Sequence, residues 1–181
     1  MPKKIKSKSI TTIECEVAIA LYFGVRTNII VPNLSWGFIQ HEMDMAVITK
    51  SGYLKEIEIK ISKADFLKDF EKGHGHIDKL NRITEFYYAM PIDLYTKVKD
   101  LIPVNAGVIV CERYHYKEWD GVKYILKERI RADIKKTAIK IKNARKLTVD
   151  EQFKISRLGC MRIFNLKQKY ITLLNKHDTK I

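Results

Sequence analysis

The segment Leu54-Lys55-Glu56-Ile57-Glu58-Ile59-Lys60-Ile61 alternates apolar and charged residues without a break. Only an extended chain puts every second side chain on one face, so this segment is a β-strand with one wet and one dry side. A turn signal, Ser51-Gly52, precedes it, and Phe38 to Thr49 before the turn reads as a partner strand. If the two strands pair through that turn, Asp44 shares a face with Glu42, and Glu58 shares a face with Glu56 and Lys60. One sheet face then carries clustered carboxylates with a lysine beside them. Carboxylates a few ångströms apart repel, and a hard divalent cation with oxygen ligands relieves the repulsion. A neighbouring ammonium can hold a water and stabilise charge on a phosphoryl oxygen. The same alternation also describes an ordinary half-exposed antiparallel strand, and Glu-x-Lys alone does not separate the two readings.

The rest of the chain alternates helices and strands. Ser9 to Phe23 reads as a helix with Ile10, Ile13, Val17, Ala20 and Leu21 on its apolar face, ended by Gly24. Arg26 to Pro32 is a first strand, so three antiparallel strands follow the helix as a meander. Ser62 offers an N-cap hydroxyl, with Asp65 three residues on, for a second helix faced by Phe66, Leu67 and Phe70 and stopped by Gly73. Thr84 to Met90 and Ala106 to Cys111 are strands with a helix, Leu94 to Leu101, between them, which predicts that they run parallel. Tyr87 and Tyr88 belong to sheet packing. Asp120-Gly121 marks a hairpin turn between Tyr114–Trp119 and Val122–Leu126. Lys135 to Lys146 alternates apolar and cationic residues. Thr148 with Glu151 caps a long last helix through about Leu174.

At 181 residues the chain is long enough for one domain and short for two. We read it as a single α/β domain with a mixed sheet, a meander and then parallel strands, flanked by helices. Its core covers about 9–112, and a basic hairpin and helical extension covers about 113–181. No run approaches ~18 apolar residues, which excludes a membrane span, and the basic start leads into no secretory h-region. Cys15, Cys111 and Cys160 are odd in number and far apart, so neither a disulfide framework nor a zinc ribbon is expected. These readings place the protein in a bacterial or phage-infected cytosol. Lysine and arginine total 34 against 21 acids, a formal charge of +13, which favours a polyanionic partner.

The ordered set of blocks resembles the PD-(D/E)XK nuclease superfamily, with its restriction-endonuclease-like fold, and within it MmcB-like DNA-repair proteins and their phage-encoded relatives. The likeness rests on Glu42-Met43-Asp44, on Glu56-Ile57-Glu58-Ile59-Lys60-Ile61-Ser62-Lys63-Ala64-Asp65-Phe66, and on Asp69 with Lys72 and His76. It continues through Glu85 to Pro91 and Asn105 to Val110, covering roughly residues 10–112 and more faintly 144–166. Met43 stands where the written pattern has proline. The resemblance implies that Asp44 and Glu58 bind magnesium or manganese with the Ile59 carbonyl, and that Lys60 is the catalytic lysine. It also implies a glutamate from the first helix, Glu14 or Glu16, of which the helical wheel favours Glu14. Glu42 would serve a second metal. The implied activity is hydrolysis of DNA phosphodiesters in repair, recombination or phage DNA processing, and a homodimer would suit double-strand cleavage. Lys63, His76, Lys79 and Arg82 are candidate DNA-backbone contacts, and His74 and His76 could bind metal or phosphate. Two rival readings are an inactive nuclease-fold DNA-binding protein and an RNA-binding or structural phage protein.

Overall fold

The computed structural model describes residues 8–34, 41–71 and 80–178, the side chains of 69–71 and 176–178 excepted. A helix comes first, α1 (Thr12–Phe23), and then three strands, β1 (Ile29–Leu34), β2 (Met43–Ile48) and β3 (Leu54–Ile59). Helix α2 (Lys63–Glu71) leads to β4 (Ile83–Pro91). Helix α3 (Ile92–Val98), with a 3-10 turn over Lys99–Leu101, leads to β5 (Gly107–Trp119). Strand β6 (Tyr124–Lys136) and helix α4 (Val149–Asp178) complete the chain.

All six strands form one sheet in the order β1-β2-β3-β4-β5-β6. The meander is antiparallel, β3, β4 and β5 are parallel, and β6 returns antiparallel to β5. The expected mixed α/β sheet is present, with the parallel pair joined through a helix. The β2–β3 turn closes as the sequence predicts, with Gly52 at φ +87°, where a side chain would be strained.

Local chemistry starts the helices. Thr11 and Glu14 form a reciprocal capping box at α1, and the Asp65 N–H donates to Ser62 Oγ at 3.1 Å at α2. At α4 the Thr148 N–H donates to Glu151 at 2.8 Å, and the Glu151 N–H donates to Thr148 Oγ1 at 3.2 Å.

The strand period divides the core between two sheet faces. On one, α1 lays Cys15, Ala18 and Ile19 against Met45, Val47, Ile57, Ile59, Tyr87 and Ala89. On the other, Phe66 of α2 and Leu94 and Val98 of α3 cover Phe86, Tyr88 and Met90. The start of α4 packs Ile155 onto the β1 edge beside Val31 and Ala46. Tyr87 and Tyr88 are buried, as expected.

Three expectations need correction. The buried face of α1 is Cys15, Ala18 and Ile19, whereas Ile13, Val17 and Leu21 of the expected face are exposed. Both arcs of this helix are apolar, so periodicity does not choose between them. The β5 strand does not end at Cys111; it runs unbroken to Trp119 and pairs with β6 as a ribbon that outlasts its neighbour β4, whose last partner is Cys111. The Lys135–Lys146 stripe is not one element, because β6 ends at Lys136 and residues 137–148 are irregular. Along the ribbon, cation-π packing replaces a core: the Arg129 guanidinium lies 4.7 Å from the Tyr116 ring centroid.

Candidate active site

The register of β2 against β3 sets Met45 opposite Ile57 and Ala46 opposite Glu56. Carried one step further, it brings Asp44 beside Glu58 on the sheet face that α2 covers. Asp44 is half-buried, Glu58 is 7% exposed and Lys60 is 5% exposed. The Lys60 ammonium lies 3.1 Å from Glu58 Oε2, and the two carboxyl groups are within hydrogen-bonding reach of each other. The Ile59 N–H donates to Asp44 Oδ2 at 2.7 Å, fixing that oxygen to the end of β3. The Ile59 side chain points into the opposite core, which leaves only its main chain to serve the site.

Burial, and then the neighbouring Asp44 charge, push the Glu58 carboxyl up to about 7, against the opposing pull of Lys60. Burial also raises Asp44, partly countered by the Ile59 N–H and by Lys60. Near neutral pH, Glu58 therefore retains a proton that it can donate to Asp44. Two buried acids and one ammonium make a site that gains from a further positive charge.

Two more groups complete the surroundings. Glu56 is fully buried and 2.8 Å from His41 Nε2, and its charge adds to the load on Glu58. Asp65, in the first turn of α2, adds to the load on Asp44. Sequence reasoning placed Glu56 on this face but gave His41 no role. The register contains no signal for His41, because it lies before β2 begins.

Other expected members lie elsewhere. Glu14 does not join the acids: α1 covers the opposite sheet face, and Glu14 is held by Thr11 and by Arg113 at 3.1 Å. Glu16, its alternative on the same helix, accepts from Asn33 at 3.1 Å. Glu42 is exposed, one residue before β2. Among the described residues, no three of His, Cys, Asp and Glu converge as a metal shell, so the four-acid set expected from sequence reduces to the Asp44–Glu58 pair. Lys63 is exposed at the first position of α2. Arg82 is buried, which removes it as a surface contact for a DNA backbone. His74, His76 and Lys79, like Lys72 and the Asp69 side chain, lie outside the described residues.

No family model and no curated protein matches the chain. A solved structure is similar to it, that of a protein of unknown function from Silicibacter pomeroyi. The TM-score is 0.56 at 14% identity, over 91% of this chain and 92% of that one. At that identity the likeness speaks for the fold alone. No helix among the described residues is long and apolar enough to cross a membrane.

Proposed function

We propose that the protein is a metal-dependent DNA phosphodiesterase with a restriction-endonuclease-like core, built on Asp44, Glu58 and Lys60. The observation that carries this reading is the meeting of those three side chains on one sheet face, with the ammonium 3.1 Å from Glu58. The donor set is hard oxygen, and two carboxylates plus the Ile59 carbonyl would leave magnesium the several waters that it prefers to keep. The raised Glu58 and Asp44 carboxyls fit that role, because a bound cation offsets the burial and repulsion that now hold a proton on the pair. When bound, the metal would supply Lewis acidity toward a phosphate oxygen and lower the pKa of a water.

The chain's own groups do the rest. The Ile59 N–H occupies Asp44 Oδ2 and so orients that carboxylate. Lys60 balances Glu58 and, placed against substrate, would stabilise charge developing on a phosphoryl oxygen. The net charge of +13 would gather the polyanion without reading its sequence.

The experiment is incubation of purified protein with single-stranded, duplex and branched DNA in magnesium or manganese, against Asp44→Asn, Glu58→Gln and Lys60→Met. Metal-dependent products from wild type, and a loss of at least about 100-fold in each variant, are expected. Salt-sensitive DNA binding that survives all three changes, with no product under either metal, would favour a binding protein. That outcome ends the enzymatic reading.

A further inference from the structure

Helix α4 leaves the body partway along its length. Ile155 is buried against β1, and Gly159 sits so close that a Cβ there would lie 3.0 Å from Val31. From Ile163 to Asn175 every residue is exposed. Yet this stretch is not polar: Ile163, Leu166, Tyr170 and Leu173, spaced 3-4-3, are 54–65% exposed, and Phe164 is 66% exposed. A 3-4-3 apolar seam on a free helix is a surface awaiting a partner.

The chemistry of the flanks selects the partner. Between Phe153 and Asn175 the helix has Lys154, Arg157, Arg162, Lys167 and Lys169, and no acid. Arg162, Lys167 and Lys169 border the seam, so two copies of α4 laid together would set cation against cation. A complementary surface exists on the same chain. Helix α1 exposes Ile13, Val17 and Leu21 at i, i+4 and i+8, its only charges are Glu14 and Glu16, and the stripe borders a 330 Å³ groove against Ile130 of β6. The two apolar rows match in length, about 12 Å on α1 and about 15 Å on α4.

One copy cannot join them. Helix α4 packs on β1 and α1 packs mainly over β6, at opposite edges of the sheet, about 24 Å apart by strand spacing. Two copies related by a two-fold axis can, each laying its α4 into the other's α1 groove, which closes the assembly. Exposed side chains on the two helices contribute on the order of 100 Å² each, or about 900 Å² per copy, the size of a standard interface. We propose that the protein is a reciprocal homodimer in which the apolar, cationic end of α4 docks on the acidic helix α1 of a second copy. Nothing in this proposal depends on the chemistry of the acid pair.

Light scattering on the eluting full-length protein at about 100 µM tests it. Wild type is expected at twice the chain mass of 21.2 kDa. Leu173→Glu on α4 and Val17→Glu on α1 should each give monomer with unchanged far-ultraviolet circular dichroism, since both positions are exposed. Mixed together, the two variants should regain a heterodimer, because one α4–α1 contact remains intact. Monomeric wild type, or dissociation by the α4 change but not the α1 change, would overturn the proposal. So would monomeric protein that sediments with anionic vesicles, which would assign α4 to a lipid surface.

Discussion

The Lys60 ammonium and the Glu58 carboxylate stand 3.1 Å apart on consecutive same-face positions of β3, with both side chains more than nine-tenths buried. The single cation does not balance the site, because Asp44 and Glu56 also bear on Glu58 and its carboxyl stays near 7. A folded pKa above the unfolded value of about 4.5 means that the native state holds a proton which the unfolded chain releases. The resulting stability is complete below about pH 4.5 and is lost as pH rises through about 7. It is on the order of 3 kcal/mol for a shift of this size. Glu58→Gln, which keeps the shape and removes the charge, is expected to be more stable than wild type at pH 8 and nearly equal to it at pH 4.5. Urea midpoints at the two pH values measure this, and equal midpoints at pH 8 would refute it.

Removing the cation has the opposite sign. In Lys60→Met, Glu58 and Asp44 lose their nearest positive charge, so the Glu58 pKa should climb above about 7. At pH 5 Glu58 is neutral and the substitution costs little. At pH 8 the uncompensated acid must either ionise while buried or retain its proton against the solvent, and about 3 kcal/mol or more is lost. Adding Glu58→Gln should erase that pH dependence. The check is carbon NMR of the Glu58 carboxyl together with the urea midpoints.

Asp44→Asn separates the charge of Asp44 from its hydrogen bond. The amide oxygen can still accept the Ile59 N–H, so the end of β3 keeps its anchor. The second-largest cause of the raised Glu58 carboxyl disappears, and its pKa should fall from about 7 toward the ordinary range. The same NMR titration reads the shift, and an unchanged Glu58 would show that burial alone sets the value.

The meeting of Asp44 and Glu58 was legible because a period of two and a fixed turn leave one register, and register decides which face each acid takes. The location of the first-helix glutamate was not legible. Helix α1 has Ile13, Val17 and Leu21 on one arc and Cys15, Ala18 and Ile19 on another, so composition permits either to be buried, and only the rest of the sheet decides. The length of the β5–β6 ribbon was hidden for a related reason. Beyond Cys111 its faces are covered by pairs such as Arg113–Glu128 and Arg131–Glu112, and these residues read as loop when hydrophobicity is the guide. The contact between Cys15 and Cys111, which raises the Cys111 thiol, joins residues that no local pattern links.

Gly107 is fixed by Tyr87 on the neighbouring strand. A Cβ at position 107 would fall 2.4 Å from two ring carbons of Tyr87 and 2.7 Å from the Ala138 nitrogen. The ring cannot swing away freely, because its hydroxyl donates to Glu85 at 2.7 Å and Glu85 also pairs with Lys55. Gly107→Ala should therefore cost about 3 kcal/mol, or roughly 6–12 °C in Tm for a chain of this size. Combining it with Tyr87→Leu should cost less than the sum of the two changes, since the smaller side chain removes the clash. Additive losses in thermal melts would place the strain elsewhere.

Arg145 joins the irregular segment after β6 to the start of α4. Its guanidinium makes two 2.7 Å contacts to the Glu151 carboxylate and also donates to the carbonyls of Lys146 at 3.0 Å and Leu80 at 3.2 Å. These contacts, with the Thr148 N–H, pull Glu151 down to about 2. A depressed carboxyl contributes stability that is present above about pH 4.5 and lost as pH falls toward 2. Arg145 is 40% exposed, and solvent screening reduces the contribution to less than about 1 kcal/mol. The global effect of Arg145→Ala should thus be small, while the local one is larger. Without the clamp, the first turn of α4 depends on Thr148 alone, so amide exchange at residues 149–152 should quicken at pH 7. It should also change less between pH 5 and pH 3 than in wild type, where protonation of Glu151 itself opens the turn. Unaltered exchange in that turn would mean that packing of Ile155 on β1, rather than the ion pair, holds the helix start in place.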